Sequence, residues 1–291
     1  MTLLEIKNKM KKLLLLFLLC SELSFAQLHL PELSPEGQII QQVGYTKFEI
    51  RYGRPAARQR KIMGGLVPYK KLWRTGAGKC STLSFDQEVI INNKTIPPGI
   101  YAFLAIPDEK EWTVMLNTDT SKIYGDPREY DVKNEVVRLQ AYPVKTHRFY
   151  ESLTFDLDIA HNDAIFMLSW ENTQIEFPIA TRSHEKAVSE ITKGLEKDPE
   201  NANLLAMASY YYFMNNENPE QILKWLDKAQ ALGGDRWVYQ QKVDILERMK
   251  KYPEARKAAD SGIAFLQRTK PQEWETEVRM YQERMKNWPK D

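Results

Sequence analysis

Cysteine is nearly absent from this 291-residue chain, which holds only Cys20 and Cys80. Cys20 lies in an N-terminal segment read below as cleavable, so Cys80 would stand alone. No intrachain disulfide can then staple the fold, and stability has to come from packing. Long apolar runs are also scarce. The stretch Leu13–Leu19 is far shorter than the roughly 20 residues of a membrane-spanning helix, and nothing later approaches that length, so no transmembrane span is expected. Charge of either sign is close to balanced at +2, which gives no indication of nucleic-acid binding or general affinity for anionic membranes. The sequence has no H-E-x-x-H, no Cys-x-x-Cys and no G-x-S-x-G, and His29, His147, His161 and His184 are scattered. The common zinc and serine hydrolase signatures are thus missing, and no catalytic residue, metal set or cofactor is assigned.

The N-terminus does carry a pattern. Lys9, Lys11 and Lys12 precede the apolar run, and Ser24-Phe25-Ala26 follows it. This is the basic, apolar, small-x-small order of a secretory signal, with cleavage expected after Ala26 and Gln27 as the mature start. Met10 could serve as the start, because the residues before it add nothing a signal needs. Loss of the segment removes Lys7, Lys9, Lys11 and Lys12 against Glu5 and Glu22, leaving a mature charge near zero. The expected location is periplasmic or extracellular. Lipid anchoring at Cys20 is disfavoured, since Leu19 is bulky where attachment sites take a small residue.

From Gln38 to about Ala180 the pattern has period two, with strand-length segments separated by turn residues. Strands are expected at 45–52, 81–85, 88–91, 100–106, 112–117, 135–142, 153–159, 164–170 and 174–179. Asn92-Asn93 suits a two-residue hairpin, because asparagine tolerates positive φ. Pro98-Gly99 fits the centre of a type II turn, with positive φ at the glycine. About nine short strands without helices predict a β-sandwich or jelly-roll over 27–180, with barrel closure still open.

After Thr181 the period becomes helical. Ala187-Val188, Ile191 and Gly194-Leu195 mark one helix; Gln221-Ile222, Trp225 and Ala229 mark a second; Ala255, Ala259 and Gly262-Ile263 mark a third. Their spacing approaches the roughly 34 residues of a tetratricopeptide repeat. Alternate helices are expected at 201–214 and 236–249, with a last helix through Trp274, Tyr281 and Trp288 capping the stack. Residues 181–291 thus read as a tetratricopeptide-like helical array, or else as an ordinary bundle with fortuitous alanine spacing. No low-complexity linker separates the two regions, so they are expected to pack together.

Chemistry concentrates in one segment. Arg51, Arg54, Arg58, Arg60, Lys61, Lys70, Lys71 and Arg74 fall together with no acid among them, in a stretch that Pro55, Gly64-Gly65 and Pro68 mark as a long loop. Such an excess could hold a carboxylate, phosphate or acidic glycan through arginine forks, or could cap loop carbonyls and pair with acids elsewhere. Thr75-Gly76-Ala77-Gly78-Lys79-Cys80 is not a phosphate loop: Trp73 replaces its first glycine, Cys80 replaces the magnesium-binding hydroxyl, and a strand follows. Cys80 reads as a buried structural thiol rather than a nucleophile. Asp156 and Asp158 share one strand face, a calcium candidate that lacks loop spacing and fits a wet sheet face. Trp73, Trp112 and Trp170 suit a sugar-stacking platform or sandwich core equally well.

The run from Arg60 to Tyr69 (RKIMGGLVPY), continued by Leu72-Trp73-Arg74-Thr75-Gly76-Ala77, resembles the hallmark of a secreted bacterial family called domain of unknown function 2911. Tyr52-Gly53-Arg54-Pro55 is similar to its Tyr-x-Arg-Pro element. Ile96-Pro97-Pro98-Gly99-Ile100-Tyr101 and Glu111-Trp112-Thr113-Val114 are similar to its central hairpin, and coverage runs from about Ser34 to Ala180. The resemblance implies an exported β-rich domain, often with a helical tail, and no established activity. This chain has Gly76-Ala77-Gly78-Lys79 where the family commonly continues Gly-Ala-Asn-Glu. Only Arg54, Arg60, Trp73 and Arg74 are therefore carried over as ligand-binding candidates.

The favoured expectation is a non-catalytic envelope protein, with a small anionic, peptide or glycan ligand on the β-domain and a protein partner on the helical repeats. The alternatives are an enzyme acting on an anionic substrate near Arg54 and Arg74, which requires a titratable group of shifted pKa beside them, and a structural envelope module.

Overall fold

The computed structural model describes residues 30–289. The expected signal peptide, its cleavage site, Cys20 and His29 lie outside the described residues.

Ten strands come first: β1 Glu36–Val43, β2 Thr46–Gly53, β3 Thr82–Phe85, β4 Val89–Ile91, β5 Lys94–Ile96, β6 Gly99–Ile106, β7 Trp112–Asn117, β8 Glu135–Ala141, β9 Val144–Ala160 and β10 Asp163–Thr181. They form a six-stranded sheet, β1-β2-β3-β6-β7-β8, and a four-stranded sheet, β5-β4-β10-β9. Every pairing is antiparallel. Alternation decides which face turns inward. On β2, Phe48, Ile50 and Tyr52 are buried while Lys47 and Arg51 are exposed. On β9, Leu153, Phe155 and Leu157 are buried, and Asp156 and Asp158 stand on the wet face, each accepting from the next backbone N–H. Phe103 of the larger sheet meets Phe155 and Phe166 of the smaller at ring separations of 5.6 and 4.7 Å, and Phe166 meets Phe177 at 4.8 Å. One core thus lies between two sheets, as in a sandwich. Full burial of each such ring contributes about 1.5–3 kcal/mol.

Asn92 and Asn93 adopt φ of 51° and 58° in the β4–β5 hairpin, as expected. The Pro98-Gly99 expectation needs correction. Gly99 is not among the residues of positive φ, and the segment carries the chain from β5 in one sheet to β6 in the other. A Cβ there would sit 3.0–3.2 Å from the Tyr101 ring and hydroxyl and so would crowd the side chain whose hydroxyl donates to the Pro97 carbonyl. The segments expected at 164–170 and 174–179 are one long strand, β10. It is bent where Glu171 takes a left-handed φ of 52° and the register with β9 shifts.

Six helices follow: α1 Ser183–Lys197, α2 Ala202–Met214, α3 Pro219–Ala231, α4 Arg236–Arg248, α5 Tyr252–Thr269 and α6 Trp274–Asn287. Side chains of Asn201, Asn218 and Asp235 accept from the first-turn N–H groups of α2, α3 and α4, and Pro219 opens α3 where no N–H is needed. Helices α2 and α4 begin 34 residues apart, consecutive helices pack on one another, and α2 also touches α4. Small residues permit the close approaches. Ala229, Ala255 and Ala259 are fully buried, and a Cβ on Gly194 would sit 3.2 Å from Leu204. No described helix is long and apolar enough to cross a membrane. The two regions touch directly: Ser183 Oγ accepts from the Tyr45 N–H at 2.9 Å, and the Asn162 amide donates to the Tyr211 hydroxyl and to Asn215.

Candidate functional site

Between β2 and β3 the chain runs through residues 54–81 without a regular element, yet it is closely tied down. Ala57 donates to the Glu151 carbonyl, Arg58 N–H to the Glu151 carboxylate and Ile62 N–H to that of Glu171. Val67 returns to Ile62, and Lys70 reaches the Pro107 carbonyl. Trp73 and Ala105 exchange two backbone hydrogen bonds of 2.7 and 2.9 Å, which lays the loop against β6. Thr75, at a left-handed φ of 59°, seals its end by donating from Oγ1 to the Phe103 carbonyl. Gly53 has to be glycine, since a Cβ there would lie 1.9 Å from the Ala77 carbonyl oxygen.

The loop arginines have separate fates. Arg54 donates from Nε to the Leu153 carbonyl and from Nη2 to Thr154, so it anchors the loop to β9. It does not line the cleft described next, unlike the other carried-over candidates. Arg58 reaches the Leu33 carbonyl, and Arg60 caps the carbonyls of Ala57 and Ala56 at 3.0 and 2.8 Å. Carbonyl capping thus accounts for much of the local excess of positive charge.

Arg60, Trp73 and Arg74 come together on a cleft of about 390 Å³, with Trp170, Tyr124 and Leu66 among its other walls. Among the described residues no acidic side chain lines it. Arg74 differs from the other loop arginines. Its Nε is buried and has no hydrogen-bond partner among the described residues. A buried donor in this condition costs about 1–3 kcal/mol, and more for a charged group, until something accepts from it. Gly125 abuts the same guanidinium, a Cβ there lying 3.6 Å from Nη1.

The titratable groups around Arg74 are pushed away from reactivity at neutral pH. Burial raises the Cys80 thiol to about 12 against the opposing influence of Arg74. Burial, and then the Asp119 charge, raises the Tyr124 phenol to about 12, and its hydroxyl donates to the Asp119 carbonyl at 2.6 Å. Both groups stay protonated. The three tryptophans form one cluster, Trp73 stacking on Trp170 at 6.1 Å and meeting Trp112 edge-on at 6.0 Å. Trp112 and Trp170 are fully buried, so the cluster is core with only Trp73 half open. Tyr124 and Gly125 were invisible as site residues, because they come from a segment between β7 and β8 that carries no strand or helix pattern.

A family model described as "Protein of unknown function (DUF2911)" matches residues 34–179. No curated protein and no solved structure matches the chain.

Proposed function

The chain belongs to the DUF2911 family of proteins of unknown function, and from that premise we propose that it is an exported, non-catalytic binding module. Its β-domain holds a small anionic ligand in the Arg60, Trp73 and Arg74 cleft, and its helical array holds a protein partner. The reading divides the chain into a signal peptide over 1–26, a β-domain over 27–180 and a tetratricopeptide-like array over 181–291.

The carrying observation is the buried Arg74 Nε, which has no partner among the described residues, in a cleft that those residues line with arginine, tryptophan and tyrosine and with no acid. A carboxylate or phosphate oxygen would complete that donor through a charge-assisted hydrogen bond, which is stronger than a neutral one. The Cys80 and Tyr124 shifts support binding over catalysis, since neither group can act as a base near neutral pH. For the array, support comes from a groove of about 740 Å³ on α2 and α4, where Met207, Tyr210, Met214 and Trp237 are exposed. Export rests on the Lys9 to Ala26 pattern.

Thermal-shift titrations of the parent and of Arg74→Met with phosphate, sulfate, acetate and benzoate test the cleft. The expected outcome is a melting temperature that climbs with the concentration of at least one anion in the parent and stays flat in the variant. No shift with any of them, or equal shifts in both proteins, removes the anion site.

A further inference from the structure

The tryptophan cluster borders a second cleft, of about 330 Å³, in which Trp112 rather than Trp73 takes part. We propose that this cleft, between Tyr69, Asp108, Glu109, Trp112, Lys145 and Asn172, binds a neutral hydroxyl-rich ligand, a saccharide unit. Its volume falls within the roughly 300–1,000 Å³ of ligand clefts. Its composition is the opposite of the arginine cleft, since carboxylates supply acceptors and a single lysine is the one cationic donor among the described lining residues.

Three observations converge. Trp112 is fully buried, and its indole Nε1 has no acceptor among the described residues, so a residue that lines the cleft carries an unsatisfied donor. Indole N–H groups normally find a partner when buried. Next, the charges nearly cancel: Asp108 and Glu109 share the lining with Lys145, and Lys70 approaches Asp108 at 3.9 Å. A strongly charged ligand of either sign gains little there, whereas hydroxyls can donate to the carboxylates and accept from the ammonium and indole groups. Asn172 adds an acceptor, because its Nδ2 is spent on the carbonyls of Thr146 and Arg148 and its oxygen accepts from no described residue.

Tyr69 supplies the half-open ring that a pyranose face packs on. Its phenol is raised by burial first and then by the charges of Glu109, Asp108 and Glu171, so it stays a donor. The glycine pair of the loop motif explains how the ring is seated. Gly64 sits at φ 74°, and a Cβ there would lie 2.6 Å from the Tyr69 ring.

The test is a titration of protein carrying ¹⁵N-labelled tryptophan, whose seven indole signals report each Trp separately. The probes are glucose, galactose and N-acetylglucosamine, with butylamine and acetate as charged controls. One sugar is expected to shift the Trp112 indole signal saturably, the signal being assigned by its loss in Trp112→Phe. If that variant fails to fold, the same signal is identified by its response to Tyr69→Phe. The surface double variant Asp108→Asn, Glu109→Gln should weaken that sugar about tenfold, the loss of one charge-assisted hydrogen bond, while leaving the remaining indole signals in place. The proposal is overturned if no sugar moves the Trp112 signal, if the double variant binds as tightly as the parent, or if butylamine alone moves it.

Discussion

In the helical array Arg284 meets Asp244 at 2.7 Å and also Glu247, while Arg236 meets Glu277 at 2.6 Å. In the loop over 54–81, Arg54, Arg58 and Arg60 instead meet backbone carbonyls, and Arg74 Nε meets nothing described. One residue type does different work in the two regions. A guanidinium on a carboxylate is neutralised and has little further capacity for an anion. On a carbonyl it is positioned but keeps its charge. The loop thus accumulates a field that the array cancels, and the unpartnered Nε of Arg74 lies inside that field.

The widest difference should appear on truncation. Arg284→Ala strands two carboxylates beside the buried Tyr281, whose phenol burial and the Asp244 charge already push upward. Breaking a partly buried pair of this kind should cost about 2–3 kcal/mol by urea denaturation, below the full cost of a completely buried one. The same pair sets an acid dependence. Burial alone would raise Glu247, but hydrogen bonds from Arg284 and Trp288 and the Arg284 charge outweigh it and hold the carboxyl below its usual range. Its stabilising contribution is therefore complete above the unfolded value and is lost as pH falls through the folded one. Arg284→Ala should flatten that acid limb. A variant that loses less than about 0.5 kcal/mol would place the array's arginines with ordinary surface pairs.

Carbonyl caps come next. Arg54→Ala removes the donors to Leu153 and Thr154, and Arg60→Ala removes those to Ala56 and Ala57. Each should cost about 1–2 kcal/mol, because Leu153 and Ala57 are fully buried and their carbonyls lose a charged donor. Neither loss should depend on pH between 3 and 8, since no carboxylate is involved. Urea melts at the two ends of that range check both statements, and a clear acid limb on either cost would show that the loop arginines are paired after all.

How far this division could be read beforehand differs residue by residue. The clustering of basic residues without acids was plain in the chain, as were both fates open to them, ligand fork or carbonyl cap. What decides between those fates is the direction of each side chain, and partners far along the chain set that direction: Leu153 for Arg54, Ala105 for Trp73, and the Tyr124-Gly125 segment beside Arg74. The strand alternation of Thr46–Gly53 and the Asn92-Asn93 hairpin were legible because their causes are local. The Pro98-Gly99 step was misread because a crossing between sheets and a type II turn ask for the same residues. The second cleft left no trace, since Asp108 and Glu109 sit in the turn after β6, Tyr69 in the loop, and Lys145 and Asn172 on β9 and β10.

The smallest change in stability is expected where the change in function is largest. Arg74→Met keeps the apolar stem that packs in the cleft and deletes a guanidinium whose Nε gains no hydrogen bond within the described fold. Removing a buried donor that has no partner relieves a desolvation cost instead of breaking a bond, so the change should lie within about 0.5 kcal/mol of zero or be slightly stabilising. In the presence of the anion that stabilises the parent, the order reverses, because only the parent gains binding free energy on top of folding. Paired urea melts with and without that anion measure both quantities. A loss above about 1 kcal/mol without ligand would mean that Arg74 already has a structural partner, and the contrast between the two sets of arginines would then fail at its most informative residue.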